Sequence, residues 1–141
     1  AGGSGGGVYM TAGVVESCTV ANNTSSSDGG GVYMTGGAVS NSIVYENTGS
    51  TLASRNLTKT AGTVSYSCAA PAPGGTGNTG SDPQFADPAA GGFSLLPGSP
   101  CLDSGNNEGW MTGAADLDGQ DRIQVGHLNE AINYRLLDRK M

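Results

Sequence analysis

Residues 5–12 read GGGVYMTA and residues 29–36 read GGGVYMTG, the same segment displaced by 24 positions. The displacement persists beyond the segment. It carries Gly13 onto Gly37, Val15 onto Val39, Val20 onto Val44 and Asn23 onto Asn47. A weaker third copy follows at a displacement of 25, with Gly37 onto Gly62, Val39 onto Val64 and Ser42 onto Ser67. A fixed period of this length marks a stacked repeat architecture, in which one unit cannot bury its own apolar face.

The content of the unit selects the architecture. Its apolar residues come in short β-branched clusters, Val8-Tyr9-Met10, Val14-Val15 and Cys18-Thr19-Val20, each bounded by Gly, Ser or Asn. These are strand-sized runs between turn signals, and none sustains a helical period. The leucine and helix signatures of leucine-rich, ankyrin and tetratricopeptide repeats are absent. Three short strands per unit, joined by tight polar turns, predict an all-β, right-handed parallel β-helix with rungs of about 24 residues.

The same alignment names the ladders. Val15, Val39 and Val64 are expected to stack in the interior, as are Cys18, Ser42 and Ser67, and Val20 with Val44. Asn23 and Asn47 are expected to close their rungs at equivalent turns, taking left-handed backbone and bonding along the stack. Gly5–Gly7 and Gly29–Gly31 mark a corner that needs positive φ or tolerates no side chain. A flexible linker would not repeat its Val-Tyr-Met neighbours. A phosphate-binding loop would need a lysine and a following helix, and neither is present.

Glycine accounts for 25 of 141 residues, a content that in a polar chain can signal disorder, but here the glycines recur in register. The net charge of −6 and the lack of a basic stripe speak against nucleic acid. No polybasic patch and no long apolar run suggests membrane binding or insertion. The start at Ala1 fits a mature secreted product, an excised fragment or an engineered start. Three cysteines, Cys18, Cys68 and Cys101, allow at most one internal bridge. Two readings stay open: small buried residues, or a Cys68–Cys101 disulfide.

Beyond Cys68 the repeat dissolves. Residues 70–83, APAPGGTGNTGSDP, have loop composition. Phe85, Phe93, Leu95 and Leu96 then supply larger apolar groups, to cover one face or to form an irregular last rung. In residues 127–141, Leu128, Ile132 and Leu136 fall four apart, with Arg135, Arg139 and Lys140 near the end. This predicts a short amphipathic helix with cations at its C-terminus. The organisation expected is therefore β-helix rungs with loop-rich last coils over 1–126 and a helix over 127–141 that could cap the stack. No equivalent cap is visible at the N-terminal rung.

Several segments together resemble a known type: GGGVYM, VSNSIVYEN, VSYSC, GTGNTGSDPQF, FSLLPGSPCLDSG and DLDGQDR. Their order is similar to the C-terminal part of secreted bacterial right-handed parallel β-helix repeat proteins of the choice-of-anchor and polymorphic-outer-membrane-like kinds, over residues 5–123. The GTGN…DPQF and SPCLDSG segments carry most of the specificity. In that family a short closing strand usually follows the DLDG…R segment; here HLNEAINYRLLDRKM stands in its place. The resemblance implies a secreted or cell-surface location, with surface display, adhesion and polysaccharide contact.

No catalytic set emerges from the residues. Polysaccharide lyases and hydrolases on this architecture need clustered carboxylates with Arg, Lys or His. The first rungs offer Glu16, Asp28 and Glu46, and the 24-residue shift takes Glu16 onto Ser40. His127 is isolated. Asp116, Asp118 and Asp121 loosely resemble a calcium loop but lack the spacing and distal Glu of an EF-hand. Calcium is therefore the one cofactor considered. Trp110 could stack a sugar ring, and Tyr9 with Tyr33 could form either sheet packing or an exposed binding stripe. The functional expectation is a non-catalytic extracellular structural or adhesive module. It would form a small homo-oligomer through its uncapped N-terminal rung. The alternative is a carbohydrate-binding or polysaccharide-processing fragment, with a polysaccharide as partner.

Overall fold

The computed structural model describes residues 3–107. Three successive repeats each contribute three strands of two or three residues. The first rung holds β1 (Val8–Met10), β2 (Val14–Glu16) and β3 (Thr19–Val20). The second holds β4 (Val32–Met34), β5 (Ala38–Ser40) and β6 (Ile43–Val44). The third holds β7 (Leu57–Lys59), β8 (Thr63–Ser65) and β9 (Cys68–Ala69). Equivalent strands pair in parallel, giving three sheets ordered β1-β4-β7, β2-β5-β8 and β3-β6-β9. The register is the one the repeat demands: Tyr9 opposite Tyr33, Val15 opposite Val39 opposite Val64, Val20 opposite Val44 opposite Ala69.

The core is narrow and shared by all three sheets. Val32, Met34, Val39 and Val44 of the second rung are fully buried, packed with Met10, Val64 and Ala69. Their first-rung counterparts Val8, Val15 and Val20 are only half-buried. The difference follows from stacking. A second-rung side chain is covered from above and below, whereas a first-rung side chain has a neighbour on one side only.

Left-handed residues turn the corners, and they repeat with the strands. Gly13, Gly37 and Gly62 share one corner, with φ of 86°, 81° and 91°. Ser17, Asn41 and Tyr66 share the next, and Asn22 and Glu46 the third. The left-handed residue at the third corner is thus the one before Asn23 and Asn47. These two asparagines instead bury or half-bury their amides in a ladder. Asn23 N–H donates to Asn47 Oδ1 at 3.0 Å, and Asn47 N–H donates to Asn56 Oδ1 at 3.1 Å. Each amide also donates to the carbonyl two residues back, Asn23 to Ala21 and Asn47 to Tyr45. Gly7 and Gly31 make room for them: a Cβ on Gly31 would stand 2.6 Å from Asn47 Nδ2. At Gly30 a Cβ would run into the carbonyl oxygens of Thr48 and Arg55, so this corner admits no side chain.

The third rung departs from the pattern where the 25-residue shift places Pro71 on Glu46. Proline is fixed near φ −65° and cannot take the left-handed corner. Residues 70–83, expected as a loop, nevertheless return to the stack for a few residues. Thr79 bridges Cys68 in parallel, and Ser67 N–H donates to Asn78 Oδ1 at 3.0 Å. This extends a ladder in which Cys18 N–H donates to Ser42 Oγ and Ser42 N–H to Ser67 Oγ. Ser42 and Ser67 are buried as expected, but Cys18 lies on the first rung and is exposed.

The chain then forms an antiparallel hairpin rather than another parallel rung. Its strands are β10 (Phe85–Asp87) and β11 (Gly92–Leu95), joined by a 3-10 turn at Pro88–Ala90. Asp87 Oδ1 caps that turn by accepting from Ala90 N–H at 3.2 Å, and Gly91 closes it at φ 79°. Phe85 meets Phe93 edge to face, with ring centroids 5.2 Å apart. No α-helix occurs among the described residues; the helix expected over 127–141 lies outside them.

Candidate functional site

Three features stand out from the regular stack. They are the outer edge of the first rung, the tyrosine stack beside it, and a pair of thiols under the C-terminal segment.

The edge follows from backbone alternation. Val8 N–H donates to Gly31 O at 2.8 Å, and Met10 C=O accepts from Thr35 N–H at 2.9 Å. Along a parallel strand the intervening residue turns its groups the other way, so Tyr9 N–H and C=O face away from the second rung. No described strand meets them there. Around them Tyr9 is 57% and Val14 65% exposed, beside half-buried Val8, Val15 and Val20. Among the described residues the result is an apolar cross-section bordered by unpaired strand edges.

Tyr9 and Tyr33 stack with centroids 5.5 Å apart and planes within 9°. The stack is the direct consequence of their in-register pairing. One face of each ring is used in this contact. Thr58 continues the ladder, with its hydroxyl buried and without a hydrogen-bond partner.

The opposite end is unlike the first. On the β1-β4-β7 sheet, Lys59 takes the position held by Met10 and Met34, and it is exposed on the last strand. A charge at an inward ladder position discourages further pairing at an edge. Beside it, residues 76–79 cover the β9 edge.

From there residues 83–106 run back along the flank of the stack. Asn22, at the left-handed corner of the first rung, donates from Nδ2 to Pro88 O at 3.0 Å. Asn41, at a left-handed corner of the second rung, donates to Asn106 O at 3.0 Å and accepts from Asn106 N–H at 2.7 Å. Under this strap lies Cys68. It shares the ladder of Thr19 and Ile43, on the side opposite to the core residues Val20, Val44 and Ala69. An outward position on a strand would ordinarily be solvated, yet Cys68 is buried. Its thiol lies 3.2 Å from Ser81 O and within hydrogen-bond reach of the Cys101 sulfur. All three cysteines are thiols. The Cys68 hydrogen bond holds the Cys101 thiol below its ordinary range, against the opposing effect of burial. The same hydrogen bond, with burial, pushes the Cys68 thiol up.

Of the residues singled out in the sequence, the structure thus brings together Tyr9 with Tyr33, and Cys68 with Cys101. Trp110 and the acidic group Asp116, Asp118 and Asp121 lie outside the described residues. Among the described residues no three His, Cys, Asp or Glu side chains gather as a metal site. Sequence reasoning missed Lys59, Asn22 and Asn41. The repeat alignment itself carried a signal for Lys59, since a 25-residue shift places it on Met34. Comparison with protein-family models, with curated proteins and with solved structures found no match.

Proposed function

We propose that the chain is a right-handed parallel β-helix module of a secreted or surface-displayed bacterial protein, with a structural or adhesive role and no catalysis. It acts by joining first rung to first rung with a second copy. The observation that carries this reading is the inequality of the two ends. Among the described residues, the first rung offers unpaired backbone and apolar side chains, while the third carries Lys59 and is partly covered by residues 76–79. Two copies meeting at their first rungs would pair edges and bury Val8, Val15 and Val20 in a closed, two-fold contact. Head-to-tail stacking would instead set an apolar edge against Lys59.

The secreted setting rests on the resemblance of the GGGVYM, GTGNTGSDPQF and SPCLDSG segments to secreted β-helix repeat proteins. The low charge content and the glycine-bounded rungs are consistent with it. Carbohydrate contact is the second reading, favoured by the exposed Tyr9 ring at the end of an ordered stack.

Light scattering on a size-exclusion column tests the assembly. The expected result is a dimer that dissociates in Tyr9→Pro, which removes an outward N–H without touching a bond to the second rung. A monomer at every concentration, or a dimer indifferent to Tyr9→Pro in a variant with unchanged circular dichroism, would overturn it. Glycan arrays then decide the second reading, since sugar contact at Tyr9 should weaken in Tyr9→Ala.

A further inference from the structure

We infer that Cys68 and Cys101 form a redox-controlled clasp that locks the 83–106 strap onto the flank of the stack. The inference is independent of the assembly reading.

Geometry carries it. Cys68 faces outward on β9 and is buried, with Ser81 and Cys101 of the returning segment beside it. Cys101 is positioned by its own loop. Ser99 Oγ donates to Pro83 O at 2.6 Å and accepts from Cys101 N–H at 3.1 Å, which ties Cys101 to the start of the strap. Ser99 and Pro83 are both buried, so this anchor is ordered. Other ties of the strap to the rungs are hydrogen bonds at the rung corners, from Asn22 and Asn41. A covalent bond between residues 68 and 101 would close a loop holding the whole hairpin. Cys18 stands apart: it is exposed on the first rung, with its thiol directed to Glu16 O at 3.1 Å.

The chemistry is exchange with a low-molecular-weight disulfide such as oxidised glutathione, or with a protein disulfide. Cys101 is partly exposed whereas Cys68 is buried, so the oxidant reaches Cys101, which as thiolate attacks one of its sulfurs. The oxidant's sulfur–sulfur bond breaks, one thiol leaves and a mixed disulfide forms on Cys101. The Cys68 thiol then gives its proton to the departing thiolate and its sulfur attacks Cys101 Sγ, expelling the second thiol. The two cysteine thiols lose two electrons and two protons, and the oxidant takes up both pairs as two free thiols.

The clasp acts on the strap rather than on the stack. Closing a loop of this size stabilises chiefly by restricting the opened chain, so local release of the hairpin is what it suppresses.

The test uses the intact protein equilibrated with oxidised or reduced glutathione. Peptide mapping after blocking free thiols should give one cross-linked fragment joining Cys68 to Cys101, with Cys18 alkylated. Limited proteolysis within residues 84–100 should slow at least several-fold on oxidation and recover on reduction. Cys101→Ser should lose the redox response, and Cys18→Ser should retain it. Should Cys68→Ser fail to fold at its buried position, Cys101→Ser alone still decides. Failure to form the bond, a bond that uses Cys18, or equal proteolysis in the two states would each overturn the clasp.

Discussion

Asn56 occupies the third-rung position that Gly31 holds in the second, yet its side chain extends the asparagine ladder. Its Oδ1 accepts from Asn47 N–H, and its Nδ2 donates to Ala70 O at 2.9 Å. The residue that a 25-position shift places on Asn47 is Ala72, which has no amide to offer. The amide has therefore changed strands while keeping its place in the stack. Asn56 is fully buried, so Asn56→Ala would leave Asn47 N–H and Ala70 O without their partner. A cost of about 2–3 kcal/mol is expected, read as a lower urea midpoint at an unchanged slope. At this scale the sequence was only partly legible. Adjacent Asn22 and Asn23 are the same residue type, and composition does not say which turns the corner and which bonds along the axis. Glu46, left-handed at φ 55°, carries no composition signal for positive φ at all. Asn56 was hidden because its equivalence to Asn47 is spatial and breaks the sequence shift.

Strands of two or three residues are too short to show a period of their own. The strands β1 to β9 were legible only because the unit recurs, and the register followed from the displacement of 24 and then 25. Where recurrence stopped, legibility stopped with it. The run FADPAAGGFSL contains its turn signals, Pro88, Gly91 and Gly92, but nothing in them distinguishes an antiparallel hairpin from one more irregular rung. The hairpin's own cohesion rests on Phe85 against Phe93 and on the Asp87 cap. Phe85 and Phe93 stand outside the core cluster of the rungs, and Asn22 bonds the hairpin at a rung corner, so the hairpin is expected to open as a separate unit. Phe93→Ala should therefore loosen the hairpin while sparing the rungs. Proteolysis within residues 84–100 of the reduced protein is expected to accelerate at least fivefold, as fits a loss of about 1 kcal/mol or more, with the main thermal transition little changed. An equal drop in both would show that hairpin and stack unfold together.

For the whole molecule, the proposed closed pair is set apart from an open-ended assembly by one side chain. A solenoid rung presents related edges above and below, so identical copies could in principle add head to tail without limit, as heterologous contacts do. Here the interior ladder runs Met10, Met34, Lys59, and the last member sets an ammonium where a further rung would need an apolar group. The same device protects the β7 edge of a single copy, which residues 76–79 leave uncovered on that sheet. Lys59→Met would extend the methionine ladder to the edge and remove the charge. The expected outcome is a scattering mass that grows with concentration and time, beyond the dimer proposed for the parent chain. Combining Lys59→Met with Tyr9→Pro should suppress that growth, because β7 of one copy would then lack a complete β1 edge on the next. Growth that persists in the double variant would mean that β7 pairs with β7, and that the first-rung edge has no part in open-ended assembly.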